Sequence, residues 1–159
     1  MTMQTADLTV RKSITVEAPQ ERAFDVFTAG FDSWWPHSHH IGDAEMADAV
    51  IECREGGRVY ERGVDGSECD WGRVLAFERP NRIVISWHLQ GEWNYDPDPG
   101  KASEYEVRFI PQGDSRTLVE LEHRNLERHG ADAQKISEAI GSDGGWGGLL
   151  EMFAKEAAA

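Results

Sequence analysis

Cysteine is scarce in this sequence: its 159 residues include two, Cys53 and Cys69. They are not spaced as a CxxC pair, and two thiolates alone cannot complete a four-ligand structural zinc site. Two cysteines also provide no disulfide framework of the kind on which small secreted domains depend. We therefore expect both to be free thiols with a structural role.

Positive charge and long apolar runs are also in short supply. Lysine and arginine together number 16 against 29 acidic residues, which gives a formal net charge of -13. Such a charge repels a phosphate backbone or an anionic lipid surface over most of the molecule. No apolar run approaches the ~20 residues that span a bilayer, and the N-terminus MTMQTADLTV lacks the basic-then-apolar layout of a signal peptide. The sequence predicts a cytoplasmic protein with no nucleic-acid partner and no membrane insertion.

Common catalytic motifs are missing as well. The chain has no GxSxG elbow, no phosphate-cradling glycine loop and no HExxH zinc motif. The stretch GGWGG precedes an apolar helical stripe and lacks the preceding strand of a dinucleotide fingerprint. We expect no cofactor, and these absences leave open whether the protein is an enzyme.

The patterns that are present fit one domain over residues 1–159, a size that buries roughly 70% of the unfolded surface. Alternation in ADLTVRKSITVEAP predicts a first strand, and PQERAFDVFTAG predicts a short amphipathic helix that Gly30 ends. FDSWWP is consistent with a further helical turn ended by Pro36. Five or six β-rich runs with turn residues between them predict an antiparallel sheet. These runs are DAVIECR, GRVYERG, CDWGRVLAFERP, NRIVISWHL, SEYEVRFIP and RTLVELEHR.

Alternation within the strands predicts one buried and one solvated face, because residues two apart point the same way. The apolar rows are Ile83, Ile85 and Trp87; Tyr105, Val107 and Phe109; and Thr117, Val119, Leu121 and His123. Near the C-terminus a stripe at helical spacing consists of Trp146, Leu149, Leu150 and Phe153. This stripe must be buried, and we expect it to pack on the apolar face of the sheet.

Two segments, GGRVYERGVDGSECDWGRVLAFERPNRIVISWHL and GGWGGLLEMF, resemble the START-like superfamily often called SRPBCC. The resemblance is to its branch of homologues of the activator of heat-shock protein 90 ATPase, and it extends from about Val10 to Phe153. It implies an α+β helix-grip fold, also called Bet v-like. In this fold a curved antiparallel sheet wraps around a long C-terminal helix, with short helices between the first two strands.

The same resemblance implies a deep hydrophobic cavity for a lipid, a polyketide-like compound or another small apolar molecule. Members of the superfamily include polyketide cyclases, hydrolases, carriers, sensors and a chaperone activator. Because a fold does not transfer chemistry between its members, the resemblance does not decide among these activities.

The stretch WWPHSHHIG, Trp34 to Gly42, has two interpretations: a metal site, or the rim of a cavity or an interface. The three histidines of HSHH, with Asp43 and Glu45, offer imidazole and carboxylate ligands suited to zinc, nickel or iron. Nothing in the pattern sets a ligand geometry, and the composition is that of a loop. We therefore expect no metal, and we interpret the histidines as the rim of a cavity or an interface.

Adjacent tryptophans cannot both point the same way in a helix or strand. We expect one of Trp34 and Trp35 to pack in the core and the other to cover a pocket mouth or meet a partner. Six tryptophans in one chain suit an amphiphilic cavity, although they also fill ordinary cores.

We predict that the protein binds a small hydrophobic or amphiphilic ligand between the sheet and the last helix. The polar tip of His123 on an inward row could orient this ligand, or it could simply be satisfied by backbone or water. Tyr60 shares a face with Arg58, which would pair with a glutamate or a ligand carboxylate. The predicted ligand-binding residues are Trp35, Tyr60, Trp71, Trp87, Tyr105, Phe109, His123, Trp146 and Phe153.

Two alternatives stay open. A cyclase, hydrolase or isomerase acting on a polyketide-like substrate could transfer a proton through His123 with Tyr105 or Tyr60. We assign no catalytic residue on this basis. An interaction protein, either a chaperone regulator or a homodimer, would instead use the tryptophan segment as its contact surface.

Overall fold

Seven antiparallel strands form one curled sheet in the computed structural model, which describes residues 8–159. The first strand, β1, pairs with the last, so the order across the sheet is β1-β7-β6-β5-β4-β3-β2. The predicted helix-grip fold is confirmed, although the start of the first predicted strand lies outside the described residues. The strands are β1 (Val10–Val16), β2 (Met46–Ile51), β3 (Arg58–Gly63), β4 (Glu68–Glu78), β5 (Arg82–Trp87), β6 (Ser103–Pro111) and β7 (Thr117–Arg124).

Register shifts bend the half of the sheet formed by β2 to β5. Such irregularities increase the local twist of a strand pair. Gly72 of β4 also allows a close approach, since a Cβ there would lie 1.8 Å from the carbonyl oxygen of Ser86. Together these features curl the sheet into a concave surface. The shifts fall between Met46 and Asp48, between Val59 and Tyr60, and between Val74 and Ala76.

Helices fill part of this concave surface. Phe24 and Phe27 of the first helix lie edge-on to Phe109 of β6, with ring centroids 5.1 and 5.8 Å away. Phe153 of the last helix lies 5.2 Å from Phe27. These four rings, the phenylalanine cluster, are all buried, and burial of each side chain contributes about 1.5–3 kcal/mol. The helices are α1 (Gln20–Phe27), α2 (Phe31–Trp34), α3 (Ala133–Gly141) and α4 (Gly148–Ala158).

The chain between α3 and α4 forms one wide turn over Asp143–Gly147. Gly145 is required in this turn, because a Cβ would lie 2.3 Å from the carbonyl oxygen of Ile140. Trp146 sits inside the turn and is buried in the core. A glycine-rich turn thus separates the two C-terminal helices. The short 3-10 segments Pro99–Lys101 and Leu126–Asp132 precede β6 and α3 respectively.

The convex face of the sheet is less solvated at its centre than alternation predicts. Val84, Ser86 and His88 point outward but are buried. The ring of Tyr95, from the long connection between β5 and β6, lies 5.3 Å from the imidazole of His88. A folded-back loop therefore covers polar residues that the pattern alone assigns to solvent.

Ion pairs cover the neighbouring part of the convex face. The carboxylate of Glu106 accepts hydrogen bonds from Arg82 and Arg108 at 2.6 and 2.9 Å and from Arg124 at 2.5 Å. Burial would raise the pKa of Glu106, but these three guanidinium groups outweigh it and lower the pKa to about 2. Glu106 is therefore ionised at every pH at which the protein is expected to function.

Two further expectations can be compared with the described residues. Within residues 8–159, no helix combines the length and the apolar character needed to cross a membrane. Both cysteines are free: Cys53 is exposed and Cys69 is partly buried. Burial raises the pKa of both thiols, and the carboxylate of Glu61 adds to the effect at Cys69.

Candidate functional site

A pocket of about 470 Å³ opens beside the phenylalanine cluster, and four tryptophans line it. Trp35 follows α2, Trp71 lies on β4, Trp87 ends β5, and Trp93 lies in the connection to β6. Leu149 of α4 and residues of the turn before it complete the lining. The volume lies within the ~300–1,000 Å³ of small-molecule sites. We call this cavity the tryptophan pocket.

Hydrogen bonds fix three of these four indole rings. Each ring N–H is committed to an acceptor of the protein, so the rings offer a ligand their faces and edges rather than a donor. The bonds run from Trp35 to the carbonyl of His39 (3.2 Å), from Trp71 to the carboxylate of Glu61 (3.0 Å) and from Trp87 to the carbonyl of Leu89 (3.2 Å).

The carboxylate of Glu61, on the inward side of β3, fastens one wall of the pocket. Its Oε1 accepts from the backbone N–H of Ile41 at 2.5 Å and from the indole of Trp71, and its Oε2 accepts from Gly42 at 3.3 Å. Only 1% of Glu61 is exposed. A buried carboxylate is tolerated only when hydrogen bonds replace its hydration. These bonds join the loop after α2 to strands β3 and β4.

Trp34 and Trp35 are both buried and their rings are in contact, with centroids 5.8 Å apart, but of the two it is Trp35 that lines the pocket. Trp34 packs in the core, with ring centroids 5.0 Å from Phe27 and 5.5 Å from Phe153. Trp35 packs on Trp71 at 5.2 Å and faces the pocket. Since Trp34 is buried, it is not available as an exposed contact residue.

The histidines of HSHH form a rim rather than a cluster. His37 bonds to Asp32 through Nε2 at 2.7 Å. His39 reaches across the pocket mouth, where its Nε2 donates to the carbonyl oxygen of Gly144 at 3.2 Å. Among residues 8–159, no three His, Cys, Asp or Glu side chains converge as metal ligands. The hydrogen bond from His39 to Gly144 joins the histidine loop to the glycine turn before α4.

His40 lines the pocket with an imidazole of defined tautomer. Its Nδ1 lies 2.8 Å from the carbonyl oxygen of Gly42, which can only accept a hydrogen bond. In the neutral ring the proton therefore sits on Nδ1, and Nε2 keeps its lone pair. His40 is thus a pocket residue that could accept a proton from a bound molecule.

A buried chain of hydrogen bonds lies behind the pocket. The indole of Trp146 donates to His123 Nδ1 at 3.1 Å, and Ser103 Oγ lies 2.7 Å from the Nε2 atoms of both His123 and His129. His129 Nδ1 then meets Gln90 Oε1 at 3.1 Å. Because the indole can only donate, His123 carries its proton on Nε2, and every following bond runs in the same direction. This series of hydrogen bonds begins at the indole of Trp146 and ends at the amide of Gln90, and neither group titrates.

His123 and Tyr105 do not form an acid–base pair. Their rings are 5.7 Å apart and tilted, and both side chains are buried. Burial, and secondarily the imidazole of His129, lower the pKa of His123 to about 3. Burial also raises the pKa of Tyr105 above its usual value. A neutral histidine with both nitrogens occupied has a structural role, so the catalytic reading of this pair is not supported.

Three of the nine predicted ligand-binding residues line the tryptophan pocket, namely Trp35, Trp71 and Trp87. Five others face inward but lie in the packed core behind it. The inward-facing assignment of the apolar rows is confirmed, but the rings in this group pack against one another and against Phe27 of α1 rather than around the pocket. The five core residues are Tyr105, Phe109, His123, Trp146 and Phe153.

Tyr60 lies on the convex face and does not line the pocket. The guanidinium of Arg58 covers its ring at 4.0 Å, and its hydroxyl accepts from Arg62 at 3.1 Å. Arg58 pairs with Asp70 at 2.6 Å, within the protein rather than with a ligand. The inward residue at this point of β3 is Glu61, because neighbouring residues in a strand point to opposite faces.

Sequence reasoning missed Glu61, Trp93, His129 and Gln90. Trp93 is 41% exposed at the pocket mouth and lies in an irregular connection that carries no periodic signal. The others make hydrogen bonds to residues distant in sequence, and no spacing pattern reports such bonds. The one available indication of Glu61 in the sequence was that a charged residue alternates with Tyr60 on β3 and so faces the opposite side of the sheet.

Comparison with known proteins places the chain among relatives that share its fold. The model of the family described as activator of Hsp90 ATPase homolog 1-like protein matches residues 17–158. No curated protein matches the chain.

Solved structures give closer likenesses. An anthrahydroquino-gamma-pyrone synthase, Txn09, is 42% identical, with 92% of this chain and 95% of that chain covered and a TM-score of 0.66. CalC of Micromonospora echinospora, a self-sacrificing resistance protein, is 34% identical, with 95% and 94% covered and a TM-score of 0.70. An Hsp90 activator of Plasmodium falciparum is 21% identical over 74% of this chain and 72% of that chain, with a TM-score of 0.50, and shows the fold alone.

Proposed function

Because the chain belongs to the family of activator of Hsp90 ATPase homolog 1-like proteins, we propose that its tryptophan pocket binds a small, largely apolar aromatic molecule. The observation that carries this proposal is a cavity of about 470 Å³ lined by four indole rings. Stacked or edge-on aromatic contacts contribute about 0.5–1.5 kcal/mol beyond the area they bury. The name of Txn09 supports the proposal, because it describes a synthase of an aromatic pyrone.

Titration with 1,8-dihydroxyanthraquinone tests this function. We expect the probe to quench tryptophan emission and to raise the unfolding temperature. Trp35→Leu should weaken binding by about 3- to 10-fold, since it removes one aromatic wall. Trp34→Phe is the matched control, because it removes a tryptophan that packs in the core and should leave affinity unchanged.

Two results would count against binding in this pocket. One is the absence of any saturable quenching by the anthraquinone or by other planar aromatic compounds of similar size. The other is an equal loss of affinity in the Trp34 and Trp35 variants, because the effect would then follow from fold stability rather than from the pocket wall.

A second candidate function is a ring-closing reaction on a polyketide-like ligand in the same pocket. It is favoured by the 42% identity to a synthase and by the free Nε2 of His40 at the pocket. A general base of this kind typically contributes 10²–10⁴-fold to a rate. His40→Gln should then abolish conversion of an uncyclised aromatic polyketide, followed by chromatography with mass detection, while binding persists. Binding without any conversion by the unaltered protein would leave the carrier function alone.

A further inference from the structure

The tryptophan pocket has no fixed positive charge for an anionic ligand. Its lining, as far as residues 8–159 describe it, contains no lysine or arginine. Three of its four indole N–H groups are already donated to the protein, so they cannot replace a guanidinium as anion donors. The hydroxyl of Ser142, a further lining residue, donates to the carbonyl of Ala139 at 2.6 Å. The imidazoles of His39 and His40 in the lining each already donate to a backbone carbonyl oxygen. A carboxylate or sulfonate entering the pocket would therefore lose hydration without a lysine or arginine partner.

A buried carboxylate is hydrogen-bonded to two residues of the lining, Trp71 and Ile41. This carboxylate belongs to Glu61, which is buried directly behind Trp71 and Ile41. It is the acceptor in each of its hydrogen bonds. Donors thus lie on both of its oxygens, an arrangement that suits a carboxylate. None of the ion pairs among residues 8–159 includes Glu61, and the arginines beside it in sequence, Arg58 and Arg62, pair with Asp70 and Asp48 instead.

The indole bonded to Glu61 transmits this charge to the pocket. A hydrogen bond from an aromatic N–H to a carboxylate polarises the ring and makes its face more negative. The faces of Trp35 and Trp71, whose ring centroids are 5.2 Å apart, already carry the negative side of the aromatic quadrupole. Aromatic walls around a cation are the arrangement that proteins use for ammonium groups. The overall charge of -13 acts in the same sense.

We infer, on the basis of the proposed function, that the ligand of the tryptophan pocket is cationic: an aromatic molecule bearing a protonated amine or a quaternary ammonium group. The amine would lie against the indole faces, with the Glu61 carboxylate behind Trp71 as its countercharge. The apolar body of the ligand would then contact Leu149 and the remaining rings.

Three probes with one ring system and different charges test this inference. They are 9-aminoacridine as the cation, acridine as the neutral compound and acridine-9-carboxylate as the anion, titrated at pH 8 in 0.5 M salt. High salt screens the long-range attraction due to the net charge of the protein. We expect the cation to bind about tenfold more tightly than acridine, and the anion to bind more weakly than acridine.

Glu61→Gln separates the buried charge from the aromatic walls. The variant keeps a side-chain oxygen as an acceptor, so it should retain acridine affinity while its preference for 9-aminoacridine falls several-fold. Glu151→Gln, on the exposed face of α4, changes the net charge equally and should leave the preference intact. Acridine affinity and circular dichroism show whether each variant is folded.

The outcomes separate this inference from the proposed function. If none of the three probes binds, the aromatic-binding function fails and the charge preference fails with it. If all three bind equally, or if the anion binds most tightly, the cation inference is overturned and aromatic binding stands. Should Glu61→Gln prove unfolded, the ranking of the probes on the unaltered protein still decides the sign of the preference.

Discussion

Mild acid should destabilise this protein through His123. In the folded state burial holds its pKa at about 3, whereas an unfolded histidine titrates near 6.5. Between these two pH values His123 therefore binds a proton in the unfolded state and not in the folded state. The stabilising contribution is complete above about pH 6.5 and is lost progressively as the pH falls from about 6.5 to about 3. At pH 5 the loss amounts to about 2 kcal/mol, since 1.5 pH units below the unfolded pKa correspond to about 1.4 kcal/mol each.

Carboxylates contribute little to the loss of folding stability at pH 5. Glu106 has a folded pKa of about 2, but its unfolded pKa near 4.5 means that most of its stabilisation is lost only below pH 5. His129 acts in the same direction as His123, because burial and then the nearby His88 lower its pKa, although Asp132 opposes them. The measured decrease should therefore be somewhat larger than the contribution of His123 alone.

Urea unfolding followed by tryptophan fluorescence at pH 7.5 and pH 5.0 measures this difference. His123→Gln can still accept from Trp146 and donate to Ser103 but does not titrate, so it should reduce the pH-dependent decrease by about 2 kcal/mol. The control His40→Gln alters an exposed imidazole and should preserve the decrease. If the His123 variant lost as much stability on acidification as the unaltered protein, the neutral buried histidine would be refuted.

Three further substitutions have expected outcomes. Gly145→Ala should lower the free energy of unfolding by about 1–3 kcal/mol, because its Cβ would lie 2.3 Å from a backbone oxygen of α3. Gly144→Ala, whose Cβ would meet nothing closer than 3.9 Å, should change it by less than about 0.5 kcal/mol in the same urea titration. Glu106→Gln should cost about 1–3 kcal/mol, because its arginine partners remain partly exposed and screened, while Glu120→Gln should have little effect. Trp146→Leu should lower the unfolding temperature and allow the pocket to bind larger anthraquinones, as titration would show.

The fold could be predicted because its signals are local. Pro19 stands directly before α1 and Gly30 directly before α2, although α1 ends at Phe27 and not at Gly30 as predicted. Alternation marks each strand. Alternation shows which residues share a face of a strand, but it does not show which face lies on the concave side of the sheet. Tyr60 and Arg58 were correctly assigned to one side of β3, but that side is convex, and only the sheet register shows this.

The candidate site was harder to predict because long-range hydrogen bonds define it. Glu61 meets the loop some 20 positions before it and Trp71 ten positions after it. His129 and Gln90 are 39 positions apart in the chain. Such contacts depend on the curl of the sheet and on the path of the long connections. The tryptophans could be predicted as a group, whereas the division between Trp35 at the pocket and Trp146 in the core required the fold.

The bonds that hold the indoles also bear on how a ligand would bind. An empty apolar cavity tends to collapse unless its walls are fixed, and here the ring N–H groups and the link from His39 to Gly144 hold the walls apart. A ligand entering a preformed pocket orders few side chains, so less of its interaction energy is offset by lost conformational entropy. Affinity should then follow the apolar area that the ligand buries, at about 25 cal/mol per Å². Enlarging the aromatic body of a probe should tighten binding until the volume of about 470 Å³ is filled, and weaken it beyond that size.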